Sequence, residues 1–179
     1  MANSGQLEER IERIYDEYYR DVYHFLICFT GNRNDAEDLT QDVFIQVLKS
    51  LAKYNDQYRL KTWILTIARN VAVDHFRRQK FYSIFKDGFF TGLLSKGNSP
   101  DEALETKEQK EIVHGAISKL KPNYRSVLIL RGINELSIRE TAQILNCSEA
   151  KVKVDYFRAL KKLKETLKIT MEEGFENAK

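Results

Sequence analysis

Asn70 lies within a segment, residues 62–80, whose side chains are suited to hydrogen bonding and charge pairing. At helical spacing this segment has one mostly apolar face, formed by Ile64, Ile67, Ala68, Val71 and His75. Its polar face is formed by Thr62, Thr66, Asn70, Asp74 and Arg77, and its C-terminal end carries Arg77, Arg78 and Lys80. We therefore expect a helix that packs on one side, offers hydrogen-bonding groups on the other, and ends in a cationic tip.

Positive charge is concentrated in two short segments of the chain. Residues 61–80 carry five basic and one acidic side chain, and residues 151–168 carry seven basic and two acidic ones, although the whole chain has a net charge of only +3. Residues 1–60 are acidic, with seven basic and eleven acidic side chains. Two separate cationic segments are suited to two contacts with a polyanion such as DNA.

A helix-turn-helix pattern includes the second cationic segment, in the sequence ELSIRETAQILNCSEAKVKVDYFRALKKL, residues 135–163. Ser137 and Glu140 have the spacing of a capping box, the residues NCS predict a tight turn, and Ser148 can cap the following helix. That last helix has an apolar face of Val152, Tyr156, Leu160, Leu163 and Leu167, and its other faces carry Lys151, Lys153, Asp155, Arg158, Lys161 and Lys162. The second helix of such a motif enters the major groove of DNA. The alternative is a solvated, lysine-rich helix that only packs against its neighbours.

A third set of polar side chains is acidic and lies near the start of a helical pattern that covers residues 35–51. These side chains are Asp35, Glu37, Asp38 and Asp42. Carboxylates at this position stabilise the helix dipole, and an acidic face suits a basic protein partner. Asp38 and Asp42, at i and i+4, can also be interpreted as metal ligands. No nearby His or third acid that converges with them is apparent, and Cys28 and Cys147 form no CxxC motif, so we predict no metal site.

The elements that must position these side chains are predicted to be helices. Two prolines and eight glycines in 179 residues leave few turn signals, which argues against a sandwich or a barrel. The patterns predict helices over residues 7–29, 35–51 and 62–80, separated by the turn GNRND and by a loop that ends at Lys61. The buried face of the middle helix is predicted to contain Leu39, Val43, Phe44, Val47, Leu48 and Leu51.

A domain boundary is predicted between the two cationic segments. Residues 81–104 contain three glycines and the turn signal NSP, and we assign them as a flexible linker. The apolar and aromatic side chains of residues 81–94 would be costly to expose together, so we expect something to cover them. The two predicted domains are residues 7–80 and 105–170, and the second is expected to be a bundle of about four short helices.

The order of these motifs resembles that of the extracytoplasmic-function sigma factors of bacterial RNA polymerase. The resemblance rests on DAEDLTQDVF, TWILTIARNVAVDHFRR, a linker, LKPNYRSVLILRGINELSIRETAQIL and KVKVDYFRALKKLK, and it covers about residues 7–168. It implies an all-α fold with two small helical domains, a bundle similar to sigma region 2 and a helix-turn-helix similar to region 4, joined by the linker.

The resemblance also implies a role for the Asn70 helix at the −10 promoter element. In similar proteins the preceding loop, here residues 54–61, accepts a base that turns out of the stack as DNA melts. Amides and aromatic faces can hold single-stranded bases, while cations hold the backbone. The implied −10 contacts are Asn70, Asp74, Arg77, Arg78, Tyr58 and Lys61.

Two further surfaces follow from the same resemblance. The implied polymerase-binding residues are Asp38, Leu39, Gln41 and Asp42, and the implied −35 contacts are Lys151, Lys153, Asp155, Phe157, Arg158 and Lys162. Asp155 departs from the family pattern, in which many relatives have a small or basic pair at this point. Its carboxylate could accept a hydrogen bond from cytosine, or it could pair with Lys151 or Lys162.

We therefore expect a sigma factor that binds core RNA polymerase, duplex and melted promoter DNA, and an anti-sigma factor. We expect no catalytic residue, cofactor or small-molecule substrate, because polymerase performs the chemistry. The sequence has no signal peptide and no run of about 18 apolar residues, which predicts a cytoplasmic protein without membrane insertion. The alternatives are a dimeric helix-turn-helix regulator, with residues 7–80 as a sensor or dimerisation domain, and a helical carboxylate metal enzyme that uses Asp38 and Asp42.

Overall fold

The computed structural model describes the backbone of residues 2–55, 57–86 and 112–176, and the side chains of residues 9–55, 57–81 and 112–169. Within these ranges the regular structure is helical, as the sequence predicts. Most of the predicted linker, including the side chains of residues 82–94 that were expected to be covered, lies outside the described residues.

The first domain is a bundle of three helices. α1 covers Ala2–Thr30, α2 covers Arg33–Ser50 and α3 covers Leu60–Lys86, with a 3-10 turn at Leu51–Lys53. The predicted turn between α1 and α2 forms at Gly31, whose φ of +68° favours a residue without a side chain. Asn32 then caps α2, because its side chain accepts a hydrogen bond from the Asp35 amide at 3.1 Å. The core of the bundle includes Val22, Phe25, Leu26, Phe29, Val43, Val47, Ile64, Leu65 and Ala68.

The second domain has four helices within the described residues, the number predicted, although the last of them is long and not short. They are α4 (residues 112–118), α5 (Pro122–Gly132), α6 (Ile138–Leu145) and α7 (Glu149–Glu176). The predicted capping box is present at the start of α6, where the Glu140 amide donates to Ser137 Oγ at 3.1 Å and Glu140 Oε2 accepts from the Ser137 amide at 2.9 Å. Asn146, at φ 49°, ends α6, and Ser148 Oγ accepts from the Lys151 amide at 3.2 Å to cap α7. The helix-turn-helix is therefore confirmed.

Several helix boundaries and two predicted faces differ from the sequence analysis. α1 begins at Ala2 and not at residue 7, and α2 begins at Arg33 and not at residue 35. α3 begins at Leu60, inside the predicted loop, and continues to Lys86, because residues 81–86 contain neither Gly nor Pro to end it. Leu48 on α2 is 42% exposed and Leu160 on α7 is 44% exposed, although periodicity predicts both to be buried. The buried positions at the start of α7 are Val152, Asp155 and Ala159, so the packed face is rotated away from Leu160.

The two domains pack directly against each other. α5 lies against α1, and α6 lies against α3. Buried side chains of both domains form one continuous apolar cluster, in which Phe29 of α1 and Ile129 of α5 both take part. Arg125 of α5 lies at this junction with only 3% of its surface exposed. Across the described part of the chain, no helix combines the length and apolar character that a membrane span requires.

Candidate nucleic-acid and polymerase interfaces

Asn70 lies on the exposed face of α3, next to an arginine that the sequence analysis missed. Its Oδ1 accepts a hydrogen bond from Arg69 Nη1 at 3.1 Å, and both the amide NH2 and the second lone pair of the oxygen are available to a ligand. Burial lowers the pKa of Arg69, and the neighbouring charge of Arg77 lowers it further. At helical spacing Arg69 falls between the predicted apolar and polar faces, so periodicity alone gave it no role.

An open cleft with a volume of about 420 Å³ lies beside Asn70. Trp63 contacts Tyr54, with ring centroids 5.0 Å apart, and Tyr54 Oη donates a hydrogen bond to the Tyr58 carbonyl at 2.5 Å. These contacts hold Tyr58, which is 44% exposed, against the cleft. One wall belongs to the first domain and contains Tyr58, Thr62, Trp63, Thr66, Arg69 and Asn70; the other belongs to the helix-turn-helix and contains Gln143, Ile144 and Asn146.

The cations predicted to bind −10 DNA divide into two groups. Arg77 and Arg78 are exposed on α3, and Asp74 Oδ1 lies 3.7 Å from Arg77 Nη1, where it can orient that guanidinium. Lys61 instead pairs with Asp21 of α1, with Nζ and Oδ2 2.8 Å apart. Asn70 and Arg77 are seven residues apart and therefore lie on the same face of α3. Lys61 is therefore partly neutralised by a carboxylate of α1, whereas Arg78 has no such neighbour among the ion pairs of the described residues.

The predicted −35 residues lie near the start of α7, and all except Asp155 are exposed. Phe157 is the most exposed of the large apolar side chains there, at 70%. Asp155 is only 7% exposed, and its Oδ2 lies 2.5 Å from Lys151 Nζ. That hydrogen bond, together with the charge of the carboxylate, raises the pKa of Lys151. Of the alternatives for Asp155, the structure contains the intrahelical ion pair.

The predicted polymerase-binding face of α2 contains both charged and apolar side chains. Asp38, Gln41 and Asp42 are exposed, whereas Leu39 is only 5% exposed and belongs to the core. Ile45, which the sequence analysis did not include, is 46% exposed beside Leu48 on the same helix. The exposed face is therefore more apolar than predicted. No group of three or more metal-ligating side chains is found among the described residues.

Comparison with known proteins identifies the family of this chain. Residues 14–82 match the model of Sigma-70 region 2, and residues 110–163 match that of Sigma-70, region 4. The chain is 37% identical to the ECF RNA polymerase sigma factor SigX of Bacillus subtilis over 172 residues, which cover 93% of this chain and 88% of SigX. It is 35% identical to SigM of the same organism, over 86% of this chain and 93% of SigM. The chain therefore belongs to the ECF sigma factors of the sigma-70 family, whose members bind core RNA polymerase and promoter DNA.

The fold also resembles that of solved sigma factors. The sigma factor RpoE of Bartonella quintana, solved in complex with the anti-sigma factor NepR, has a TM-score of 0.72 at 23% identity, over 90% of this chain and 98% of RpoE. CnrH, solved with the cytosolic domain of CnrY, has a TM-score of 0.68 at 18% identity, over 90% of each chain. Sigma factors are transcription regulators rather than enzymes.

Proposed function

We propose that this chain directs promoter-specific initiation by core RNA polymerase, through −10 recognition and melting by α3 and −35 recognition by α7. The observation that carries the proposal is the arrangement at the cleft, where an amide, an aromatic ring and an arginine surround one opening. Cations lie further along the same helix face. This combination is suited to a single strand, whose bases are held by stacking and hydrogen bonds and whose phosphates are held by charge.

At the −10 element, we propose that a base turned out of the duplex enters the cleft beside Asn70. The Asn70 NH2 donates to an acceptor on the base edge, and Arg69 holds the amide through a hydrogen bond to its oxygen. Tyr58 supplies an exposed ring for stacking. Arg77 and Arg78 bind phosphates along the strand, with Asp74 as a positioning residue for Arg77.

At the −35 element, we propose that the exposed side chains of α7 enter the major groove. Lys153 and Arg158 are exposed near the N-terminal end of the helix, where recognition helices meet base edges. Phe157 gives this face an apolar contact that can meet a thymine methyl group. Asp155 contributes by holding Lys151 in position and does not read a base, because its carboxylate is buried in the ion pair.

We further propose that α2 binds core polymerase and that an anti-sigma factor regulates the chain. The exposed carboxylates of Asp38 and Asp42 precede exposed apolar side chains at Ile45 and Leu48 on α2, and this composition suits an interface with a basic partner. RpoE and CnrH, which share the fold, were solved with anti-sigma partners. The dimeric regulator is not favoured, because both family models match this one chain.

In vitro transcription from genomic DNA tests the proposal as a whole. Purified core enzyme is incubated with and without the protein, and transcript starts are sequenced. We expect a set of starts that requires the protein and shares two upstream sequence elements at fixed spacing. If no start depends on the protein although it co-purifies with core enzyme, the proposed role in initiation is wrong.

A further inference from the structure

A small pocket, which we call the Arg125 pocket, is lined by residues of α1, α3, α4 and α5. Its volume is about 140 Å³, and it is partly open to solvent. The polar side chains in its walls are Thr30, His75, Gln79, Ser118 and Arg125. The cleft that is proposed to hold a DNA base has no lining residue in common with it. The Arg125 pocket is therefore a separate site, to which the proposed function assigns no role.

Arg125 supplies a buried positive charge to the wall of this pocket. Its Nη1 donates to the Phe29 carbonyl at 2.7 Å, and its Nη2 donates to the carbonyls of Leu120, at 3.1 Å, and Ser118. The guanidinium also lies over the rings of Phe29 and Phe76, 4.9 and 5.0 Å from their centroids. Burial lowers the pKa of Arg125 to about 10, which leaves it protonated at neutral pH. Its Nε is buried and has no hydrogen-bond partner among the described residues, so one N–H of this cation can bind a ligand.

His75 of α3 gives the pocket a second nitrogen that can donate. Its Nε2 is buried and makes no hydrogen bond within the described part of the chain, and Asp35 Oδ2 lies 3.6 Å from it. That oxygen accepts instead from Gln79 Nε2 at 3.3 Å. The charge of Asp35 favours a proton on His75 Nε2, which makes this nitrogen a donor. Asp35 does not itself line the pocket, whereas Arg125 does, so the charge in the wall is positive.

The two hydroxyl groups of the pocket are arranged to accept hydrogen bonds. Ser118 Oγ donates its proton to the Gly115 carbonyl at 2.8 Å, and Thr30 Oγ1 donates its proton to the Leu26 carbonyl at 2.9 Å. A hydroxyl group has one proton and two lone pairs, so both oxygens retain the capacity to accept. A ligand that forms a hydrogen bond with either oxygen must therefore supply the proton itself.

We propose that the Arg125 pocket binds a small oxyanion that carries a proton, of the size of inorganic phosphate. Charged oxygens of the ion accept from Arg125 Nε and His75 Nε2, and its protonated oxygen donates to Ser118 Oγ. A cavity of about 150 Å³ can hold a benzene molecule, so a volume of about 140 Å³ is sufficient for a compact tetrahedral ion. Sulfate has the same shape but carries no proton at neutral pH. The pocket should therefore bind phosphate more tightly than sulfate.

Titration of the full chain with inorganic phosphate, at an ionic strength held constant with sodium chloride, tests the proposal. The Arg125 Nε–H signal in a proton–nitrogen NMR spectrum reports on the site directly, and its absence from the spectrum of Arg125→Lys assigns it. We expect this signal to shift saturably, with a dissociation constant of about 1 mM or lower. Sulfate should bind about three to ten times more weakly, which is the ratio that one ordinary hydrogen bond supplies.

Two variants separate the donor from the acceptor, with circular dichroism as the check on folding. His75→Phe keeps an aromatic ring but removes the donor, so it should weaken the binding of both ions by about tenfold. Ser118→Ala removes the acceptor, so it should abolish the preference for phosphate and leave the affinity for sulfate unchanged. Arg78→Ala is the matched control, because it removes an exposed cation from the same helix as His75. It should bind both ions as the wild-type protein does.

Three results would overturn the proposal. The first is a titration in which the Arg125 Nε–H signal shows no saturable shift. The second is a loss of phosphate binding in Arg78→Ala but not in His75→Phe, because the ion would then bind the exposed cationic end of α3. The third is equal affinity of the wild-type protein for phosphate and sulfate, because no hydroxyl oxygen would then accept from the ion. None of these measurements requires DNA or polymerase, so they are independent of the proposed function.

Discussion

Asn70 and Arg77 lie on one face of α3 but meet different chemical groups of the promoter in the proposed function. If Asn70 holds a base that has left the duplex, then Asn70→Ala should slow open-complex formation on duplex promoters. The defect should be much smaller on a promoter that is already mismatched at −10, because the unpairing cost has been removed in advance. Permanganate footprinting and run-off transcription on matched and mismatched templates measure both effects.

Two variants serve as controls for this prediction. Asn34→Ala removes an exposed amide from α2 and should leave both templates unaffected. Arg77→Ala should weaken binding to both templates alike, because phosphates are present in both. The slope of log binding constant against log salt concentration should become smaller by about 1. If Asn70→Ala is equally defective on matched and mismatched templates, Asn70 has no role in DNA melting.

At the level of helices, the start of α6 depends on one reciprocal pair of side chains. Ser137→Ala should destabilise the protein by about 1 kcal/mol, because it removes the N-cap acceptor of the capping box. The hydrogen bonds from Ser137 lower the pKa of Glu140, and the nearby charge of Arg59 lowers it further. A carboxylate with a lowered folded-state pKa stabilises the protein above its unfolded pKa, and this contribution is lost as the pH falls through the folded value.

Chemical denaturation between pH 7 and pH 3 measures this dependence. The difference in unfolding free energy between wild type and Ser137→Ala should be largest at neutral pH and should shrink in acid. Ser148→Ala is the matched control, because Ser148 caps α7 through the Lys151 amide and has no hydrogen bond to a carboxylate in the structure. A difference for Ser137→Ala that does not change with pH would show that Glu140 contributes nothing through its charge.

On α7, side chains that read a base can be distinguished from side chains that bind phosphate. The test is how DNA binding by their Ala variants depends on salt concentration. If the side chain of Lys153 or Arg158 reads a base, its replacement with Ala should weaken the free energy of promoter binding by on the order of 1 to 3 kcal/mol. It should also relax specificity at one −35 base pair. If the side chain instead binds phosphate, the same replacement should weaken binding to all DNA sequences uniformly. It should also reduce the steepness with which the binding constant falls as salt is added. Lys164→Ala, an exposed lysine further along the helix, is the control. If neither variant changes promoter binding at any salt concentration, the exposed face of α7 does not contact DNA and is only solvated.

Local sequence signals predicted helix caps better than helix faces. The capping box at Ser137, the cap at Ser148 and the helix-turn-helix depend on neighbouring residues, and all were confirmed. Burial depends on which other element packs against a helix, so Leu48 and Leu160 were placed wrongly. Periodicity also could not show that Arg125 lies between the domains, because its partners Phe29 and Phe76 are 96 and 49 positions away in the sequence.

For the molecule within its complex, the charge on α2 should determine affinity for polymerase. Asp42→Arg should weaken binding to core enzyme while leaving the fold intact, because reversing an exposed charge acts through complementarity and not through the core. Pull-down of core enzyme, with circular dichroism as the check on folding, measures the change. Asp16→Arg applies the same charge reversal to an exposed site on α1 and should have little effect. Unchanged pull-down by Asp42→Arg would contradict the assignment of this face.

The junction between the domains contains the Arg125 pocket. It has a volume of about 140 Å³ and lies between Phe29, Phe76 and Ser118. This pocket is open to solvent, so it is not a dry void that separation of the domains would eliminate. Hydrostatic pressure should therefore gain little from separating the domains at this point.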